Sequence, residues 1–361
     1  MIKKFLGLCA AMAAGVLTLS AADTAALAKD KFVFAWPSAI NSGVAPLTFA
    51  TQLGYFDKEN MDVQIQVLTG SGVIIPQLVA GNIQGAYSSL EPLIIARQPG
   101  KPNYPIMFAY NYLRRSVWEF AVLDSSPIKS FADLKGSTIG VLALSSGNIF
   151  MLRAILEAQG VPWDSIKLQA VGTGAAAFEA LRSGQIQMLN LFDTAHVRLE
   201  QSGTKIRRLQ VPAEFDGLSS HGISVTQALF KDNPGLIARF GRALTEGTLA
   251  CQANLDACIR SYWAAYPALR PAPAAEAETM RKEKEVLTVR MGNLTYMRPG
   301  AKAQMGEFST EDWTKLIAAL EAGGEIKKTD IPLSSLYSNA LVPEFNRFDQ
   351  AAVIAQAKAA K

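Results

Sequence analysis

Stretches with the period of a half-buried strand alternate with stretches of helical period along most of this chain, and they do so in two separate series. In the first series residues 31–36 (KFVFAW) read as a strand, and 46–56 as a helix closed by Gly54. Residues 63–68 (VQIQVL) alternate apolar and polar with period two, as a strand with one buried face does. A helix runs on to about Ala80. Pro76 has no N–H to donate and belongs in a first turn, so that helix is expected to begin near 73–75. A short strand at 85–87, a helix from about Ser89, and strands at 105–110 and 118–123 complete the series. The second series opens after Pro127, where Ser130 and Asp133 have the spacing of a helix cap. It continues with strands at 138–142, 166–171, 186–189, 206–211 and 222–225. Helices follow Asn148, about Ala175 and about Asp193, and the first of these is stopped by Gly160 and Pro162. From about Asn233 the chain reads as mainly helical, with a Pro/Ala-rich joint at 270–275. Strands and helices alternating at this spacing imply an α/β fold with parallel sheets, and two series imply two lobes.

Composition narrows the function. With 35 basic and 31 acidic side chains in 361 residues, the net charge of +4 makes too weak a field for a nucleic-acid binder. Two histidines leave little material for a multi-histidine metal centre, and three cysteines cannot staple a chain this long. No cofactor is called for. The chain starts Met1-Ile2-Lys3-Lys4 and then carries no charge from Phe5 to Ala22. With Ala26-Leu27-Ala28 it reads as a secretory signal over residues 1–28, the alternative being an uncleaved anchor at the lower length bound for spanning. Export permits disulfides. Cys251 and Cys258 would lie about 10 Å apart on one unbroken helix, too far to bond. A structural disulfide therefore requires a turn within 252–256, where Asn254 and Asp256 are suitable; without that turn both cysteines stay free.

Four strings, in order, resemble segments of the periplasmic solute-binding proteins of the nitrate, sulfonate, taurine and thiamine-pyrimidine class of ABC transporters. Leu53-Gly54-Tyr55-Phe56 through Met61-Asp62-Val63 is similar to that family's GYF…E-G-(L/M)-D-V segment. Leu78-Val79-Ala80-Gly81 through Gly85-Ala86 resembles its L-x-x-G-x-x-D-x-(G/A) turn, with Gln84 where Asp is usual. Asp133-Leu134-Lys135-Gly136 through Val141 resembles its D-L-K-G-K-x-(I/V)-(G/A)-V segment, and Leu181-Arg182-Ser183-Gly184-Gln185-Ile186 repeats the helix–Gly–strand turn. The likeness runs from about residue 31 to 269. It implies a two-lobed type II periplasmic-binding-protein fold with two chain crossovers and a helical C-terminal region. Lobe 1 would comprise 31–119 plus 221–361, and lobe 2 would comprise 120–220. It further implies a monomer in the periplasm that closes on a small organic solute and delivers it to a membrane permease and its ATPase, without enzymatic activity.

Ligands of α/β sheets sit at the carboxyl ends of strands, and the loops there supply the candidates. Trp36, Ser38 and Asn41 follow the first strand and offer an aromatic face and polar edges. Gly70 and Ser71 lead into a helix whose free amides would favour an anion. Tyr87, Ser88 and Ser89 follow the third strand and offer hydroxyls, while Glu91 reads as an ordinary helix-start acid. Tyr112 and Arg115 stand near the first crossover, where an arginine could hold a carboxylate or sulfonate. In lobe 2, Ser145, Ser146, Gly147 and Asn148 occupy the position of the family's ligand-facing helix start. Phe192 and Asp193 stand where the family often has an aromatic–Asp–Pro string, with Thr194 replacing Pro. His196 reads as a helix-surface residue, and His221 lies near the return crossover. An aromatic carboxylate or sulfonate would satisfy both the rings and the anion-seeking groups; a pyrimidine or an alkyl sulfonate is also open. Two other functions compete: a sensor that passes its liganded state to a membrane receptor, and an enzyme like the eukaryotic thiamine-pyrimidine synthase. The cysteine cluster of that synthase has no counterpart here, and no G-x-S-x-G motif is present.

Overall fold

The structure is a computed structural model describing residues 28–297 and 304–361; the leader read at residues 1–28 falls almost wholly outside them. Among the described residues ten strands form two five-stranded sheets. The first has the order β2-β1-β3-β10-β4, built from β1 (Asp30–Trp36), β2 (Met61–Val67), β3 (Gly85–Ser89), β4 (Ile106–Leu113) and β10 (His221–Thr226). The second has the order β7-β6-β8-β5-β9, built from β5 (Trp118–Leu123), β6 (Thr138–Val141), β7 (Lys167–Ala170), β8 (Met188–Phe192) and β9 (Ile206–Arg208). The sheets are mixed rather than purely parallel. In the first, β10 alone runs antiparallel to its neighbours β3 and β4; in the second, β5 runs antiparallel to β8 and β9. These two strands are the ones by which the chain arrives from the other lobe, so each inserts against the direction of its βα neighbours.

Helices α1 (Ala45–Gln52), α2 (Tyr55–Lys58), α3 (Ser71–Val79) and α4 (Glu91–Ala96) flank the first sheet. Gly54, at φ 78°, makes the break between α1 and α2 that the sequence suggested. α3 begins earlier than the proline implies. Gly70 turns the chain at φ 85°, so Pro76 sits inside the helix and leaves the Gly72 carbonyl without its usual partner one turn on. The second sheet carries α5 (Ile149–Ala158), α6 (Ala175–Arg182) and α7 (Asp193–Gln201). β4 runs on to Leu113 and is buried throughout, so residues 110–113 are strand and not crossover loop. The crossover is 114–117. Trp118 and Glu119, assigned to lobe 1 on sequence, pair with Phe192 and Leu191 in the second sheet.

After β10 come α8 (Gln227–Asp232), α9 (Pro234–Ala253), α10 (Leu255–Ala265), α11 (Glu276–Leu294), α12 (Thr310–Ala322), α13 (Val342–Phe345) and α14 (Gln350–Ala359). α9 seals the first sheet: Phe240 stacks on Phe32 at 4.3 Å and meets Phe34 and Phe56. Asn254 ends α9 and caps α10 by accepting the Ala257 N–H at 3.1 Å, which brings the Cys251 and Cys258 Cα atoms to 5.1 Å; the two are joined by a disulfide. The remaining helices do not belong to one lobe. α11 lies along α7 of the second lobe, where Arg198 bonds Glu283 at 2.7 Å and Gln201 bonds Glu285 at 2.8 Å. The α12 end reaches α5, where Glu325 pairs with Arg153 and Gly323 packs directly on Ala154. Among the described residues no helix is long and apolar enough to cross a membrane.

Candidate functional site

The carboxyl ends of β1, β3 and β8 converge where the chain crosses between lobes. Trp36 ends β1, Tyr87 lies near the end of β3, Trp118 opens β5, Phe192 ends β8 and His221 opens β10. Their side chains form one aromatic arc. Trp36 stacks on Tyr87 at 5.0 Å, Tyr87 on His221 at 4.6 Å, and Trp118 faces His221 at 5.5 Å and the edge of Phe192 at 6.1 Å. The first lobe supplies Trp36, Tyr87 and His221; the second supplies Trp118 and Phe192. Between the lobes is a cavity of about 30 Å³, room for little more than one water. Arg290 of α11 closes its wall, with its guanidinium 5.8 Å from the Phe192 ring centre. The Nε1 atoms of Trp36 and Trp118 are buried without a hydrogen-bond partner. Unmade bonds of that kind are costly inside a protein, and both belong to residues lining this cavity.

Of the residues singled out on sequence, Trp36, Ser38, Asn41, Gly70, Ser71, Tyr87, Ser146, Gly147 and Phe192 line the cavity. Asp193 lies directly behind it. Its carboxylate accepts from Arg290 Nε at 3.1 Å and Nη2 at 2.5 Å, from Asn293 at 2.8 Å and from the Thr194 N–H at 2.7 Å. Five residues stand elsewhere. Ser88 points to the opposite face of β3, as strand alternation requires, and bonds Ser224 at 2.8 Å. Tyr112 backs Tyr87 edge-on at 5.2 Å from inside the first sheet. Arg115 is exposed, over the Tyr296 ring and 4.0 Å from Asp216. Asn148 is committed to Asn190 at 2.7 Å within the second lobe. Ser145 forms the seam between lobes: its hydroxyl donates to the Thr69 carbonyl and its own carbonyl accepts the Gly72 N–H, both at 3.0 Å. That seam also alters the anion expectation at α3. The Gly72 amide is already used, and Val73 and Ile74 return their N–H groups to Gly70.

Pro37, Ser89, Val117, Trp118, Leu142, His221 and Arg290 complete the wall; Ser89 closes the third strand, one of the hydroxyls expected there on sequence, while Trp118 and Arg290 were not among the sequence candidates. His221 stood beside the return crossover, a usable signal. Arg290 had none, because it lies on a helix far along the chain. His196, expected on a helix surface, is fully buried with Nδ1 2.9 Å from Glu119, since β5 and α11 cover both sides of α7. Several titrating groups at and near the site are displaced, the Tyr87 hydroxyl upward by burial among them. Burial, reinforced by Arg290, pushes His221 down to about 3, so it stays neutral; its Nε2 lies 3.2 Å from the Ser89 hydroxyl and Nδ1 3.0 Å from that of Ser220. Burial pushes the Glu91 carboxyl up to about 8 despite backbone N–H groups that favour its charged form.

Two mixed sheets joined by two crossovers, with an aromatic site at the crossing, define a two-lobed protein of the periplasmic-binding-protein fold. The chain belongs to the NMT1/THI5-like family, whose profile matches residues 41–257. It is 24% identical, over 84% of its length and 83% of the other's, to a riboflavin-binding protein, RibY, of Chloroflexus aurantiacus. Among solved structures that share the fold, three illustrate the range. A protein from Bordetella bronchiseptica matches with TM-score 0.70 and 21% identity, covering 88% of this chain and 97% of that one. The alkanesulfonate-binding protein SsuA of Xanthomonas axonopodis pv. citri, bound to MOPS, matches with TM-score 0.59 and 15% identity over 86% and 99%. The desulfurization enzyme DszB, in complex with biphenyl-2-sulfinic acid, matches with TM-score 0.54 and 15% identity over 89% and 100%.

Proposed function

We propose that this protein captures a small planar solute between its lobes and presents it to an ABC importer at the outer face of a membrane. The observation that carries this reading is the aromatic arc from both lobes, with two buried indole N–H groups lacking acceptors. A flat ring system bearing ring nitrogens or carbonyls would stack between the arc's two halves and accept from Trp36 and Trp118. The cavity as it stands is far too small for such a solute, so the lobes must part to admit it and close again on it. Similarity to a riboflavin-binding protein and to sulfonate-binding proteins supports the class of function and brackets the choice of solute. Location in the periplasm is part of this proposal. It is supported by the leader-like residues 1–28 and by the Cys251–Cys258 disulfide, which suits an oxidising compartment.

One neighbour is an enzyme, and Ser89 with His221 has the outline of a nucleophile and its base. The local electrostatics oppose that use. A serine nucleophile passes its proton to the imidazole, and here burial and the nearby Arg290 both disfavour the imidazolium. We read Ser89, His221 and Ser220 as a hydrogen-bonded wall that fixes the plane of the imidazole ring.

A thermal-shift screen with riboflavin, the thiamine pyrimidine, taurine and an alkanesulfonate tests the proposal. A planar heterocycle at 100-fold its dissociation constant should add about 2.7 kcal/mol. Trp36→Ala should remove most of that shift while leaving the ligand-free protein folded. Stabilisation by none of these compounds, or turnover of the one that binds, would overturn the reading.

A further inference from the structure

We propose that Asp193 sets the charge of the ligand: by neutralising Arg290 it makes the cleft select uncharged planar solutes and turn away anions. This rests on the solute-binding reading above and adds to it the charge of the solute. Arg290 is the one charged side chain among the described residues lining the cavity. An arginine in that place would ordinarily mark a site for a carboxylate or sulfonate. Here its charge is already met. Nε and Nη2 both bond Asp193, and the pair is almost completely buried, with the side chains 4% and 1% exposed. An anion approaching Arg290 would meet the opposite charge of Asp193 a few ångström behind it, and in a buried site the two fields largely cancel. Asp193 cannot step aside easily, because Asn293 and the Thr194 amide also hold it.

Three other groups that could attract an anion are out of play. His221 is neutral, the Gly72 amide at the start of α3 is bonded to Ser145, and Arg115 lies on the outer surface. Apart from Arg290 Nη1, the donors left for a ligand are the uncharged Trp36 and Trp118 indoles. Uncharged donors in an apolar, aromatic wall suit carbonyl oxygens and ring nitrogens. They do not offset the desolvation of a sulfonate or carboxylate.

Isothermal titration of the full-length protein with benzamide and benzoate, matched in shape and differing in charge, gives the first test. The wild type should favour benzamide by about tenfold or more, equal to some 1.4 kcal/mol. Equal affinity, or a preference for benzoate, overturns the proposal without recourse to any variant. Asp193→Asn gives the second: it keeps the shape and frees the Arg290 charge, and should raise benzenesulfonate affinity by about tenfold or more. The Asp193→Asn/Arg290→Gln double variant should lose that gain while retaining the native circular dichroism. If the single variant folds and gains no anion binding, the proposal fails; the solute-binding reading survives so long as the wild type still binds a neutral heterocycle. If the wild type binds neither benzamide nor any flavin or pyrimidine, both fail together.

Discussion

His221 and Glu91 are displaced in opposite senses, and together they contribute opposing slopes to the dependence of stability on pH. His221 falls from its ordinary 6.5 to about 3 on burial. Between those values the unfolded chain holds the extra proton, so stability is present above pH 6.5 and drains away as pH falls through the window, by at most ~1.4 kcal/mol per pH unit. Glu91 rises from 4.5 to about 8, again through burial. There the folded chain holds the extra proton, so its contribution is complete below pH 4.5 and is lost as pH climbs toward 8. The two effects oppose each other from 4.5 to 6.5 and act alone outside it. Melting temperature against pH should therefore show a plateau across that middle range, with a falling limb on either side. Glu91→Gln should flatten the alkaline limb and leave the acid limb; a variant with both limbs intact would show that Glu91 is not the group responsible. At this scale the sequence exposed part of the site. Trp36 and Tyr87 were visible because they close strands whose carboxyl ends must meet a cleft. Arg290 was not, since its partner Asp193 is nearly a hundred residues away and no local pattern links a helix-face arginine to a helix-start acid.

Most strands and helices were legible because hydrophobic period and glycine stops are local signals. Gly54 and Gly81 marked their turns, and the Ser130–Asp133 spacing became a true capping box. What failed was sense and extent. Nothing local tells β5 and β10 to run antiparallel; the direction from which the chain returns decides that. Nor does the proline rule foresee that Gly70, held against Ser145 where any Cβ would clash at 2.5 Å, pulls the start of α3 back ahead of Pro76. The α9–α10 corner shows the two kinds of information meeting. Asn254 is a local cap signal, and it bends the chain just enough for Cys251 and Cys258 to join. The closed loop is short, so its entropic effect on the unfolded chain is modest, about 2.5 kcal/mol. Because α9 packs on the first sheet through Phe240, that amount should be felt by the whole lobe. Cys251→Ser/Cys258→Ser should lower the melting temperature by a few degrees, and treatment with reductant should reproduce the drop in the wild type but not in the double variant.

At the scale of the molecule the two lobes touch along a seam that lies beside the ligand cavity, and the seam is built from small residues. Gly147 of the second lobe faces Ser89 of the first so closely that a Cβ there would stand 2.6 Å from the serine's own Cβ. Neither residue is in a lobe's interior. Gly147→Val should therefore leave each lobe folded while wedging the two apart, since the added atoms meet the opposite lobe rather than their own. The closed arrangement would lose part of its population, and apparent affinity falls in proportion to the closed fraction, so tenfold fewer closed molecules bind about tenfold more weakly. Several cross-lobe ties resist the wedge, among them the Thr69–Ser145–Gly72 bonds, the α11–α7 pairs and the Arg153–Glu325 pair. The first sits beside Gly147 and should break. The other two join the C-terminal helices to the second lobe, so they should hold and act as the pivot. Small-angle scattering of the ligand-free variant should then give a larger radius of gyration than the wild type, with an unchanged far-ultraviolet spectrum and a melting temperature within a few degrees. A variant that stays as compact as the wild type and binds as tightly would mean that Ser89 and its neighbours yield to the valine, and that the seam does not govern closure.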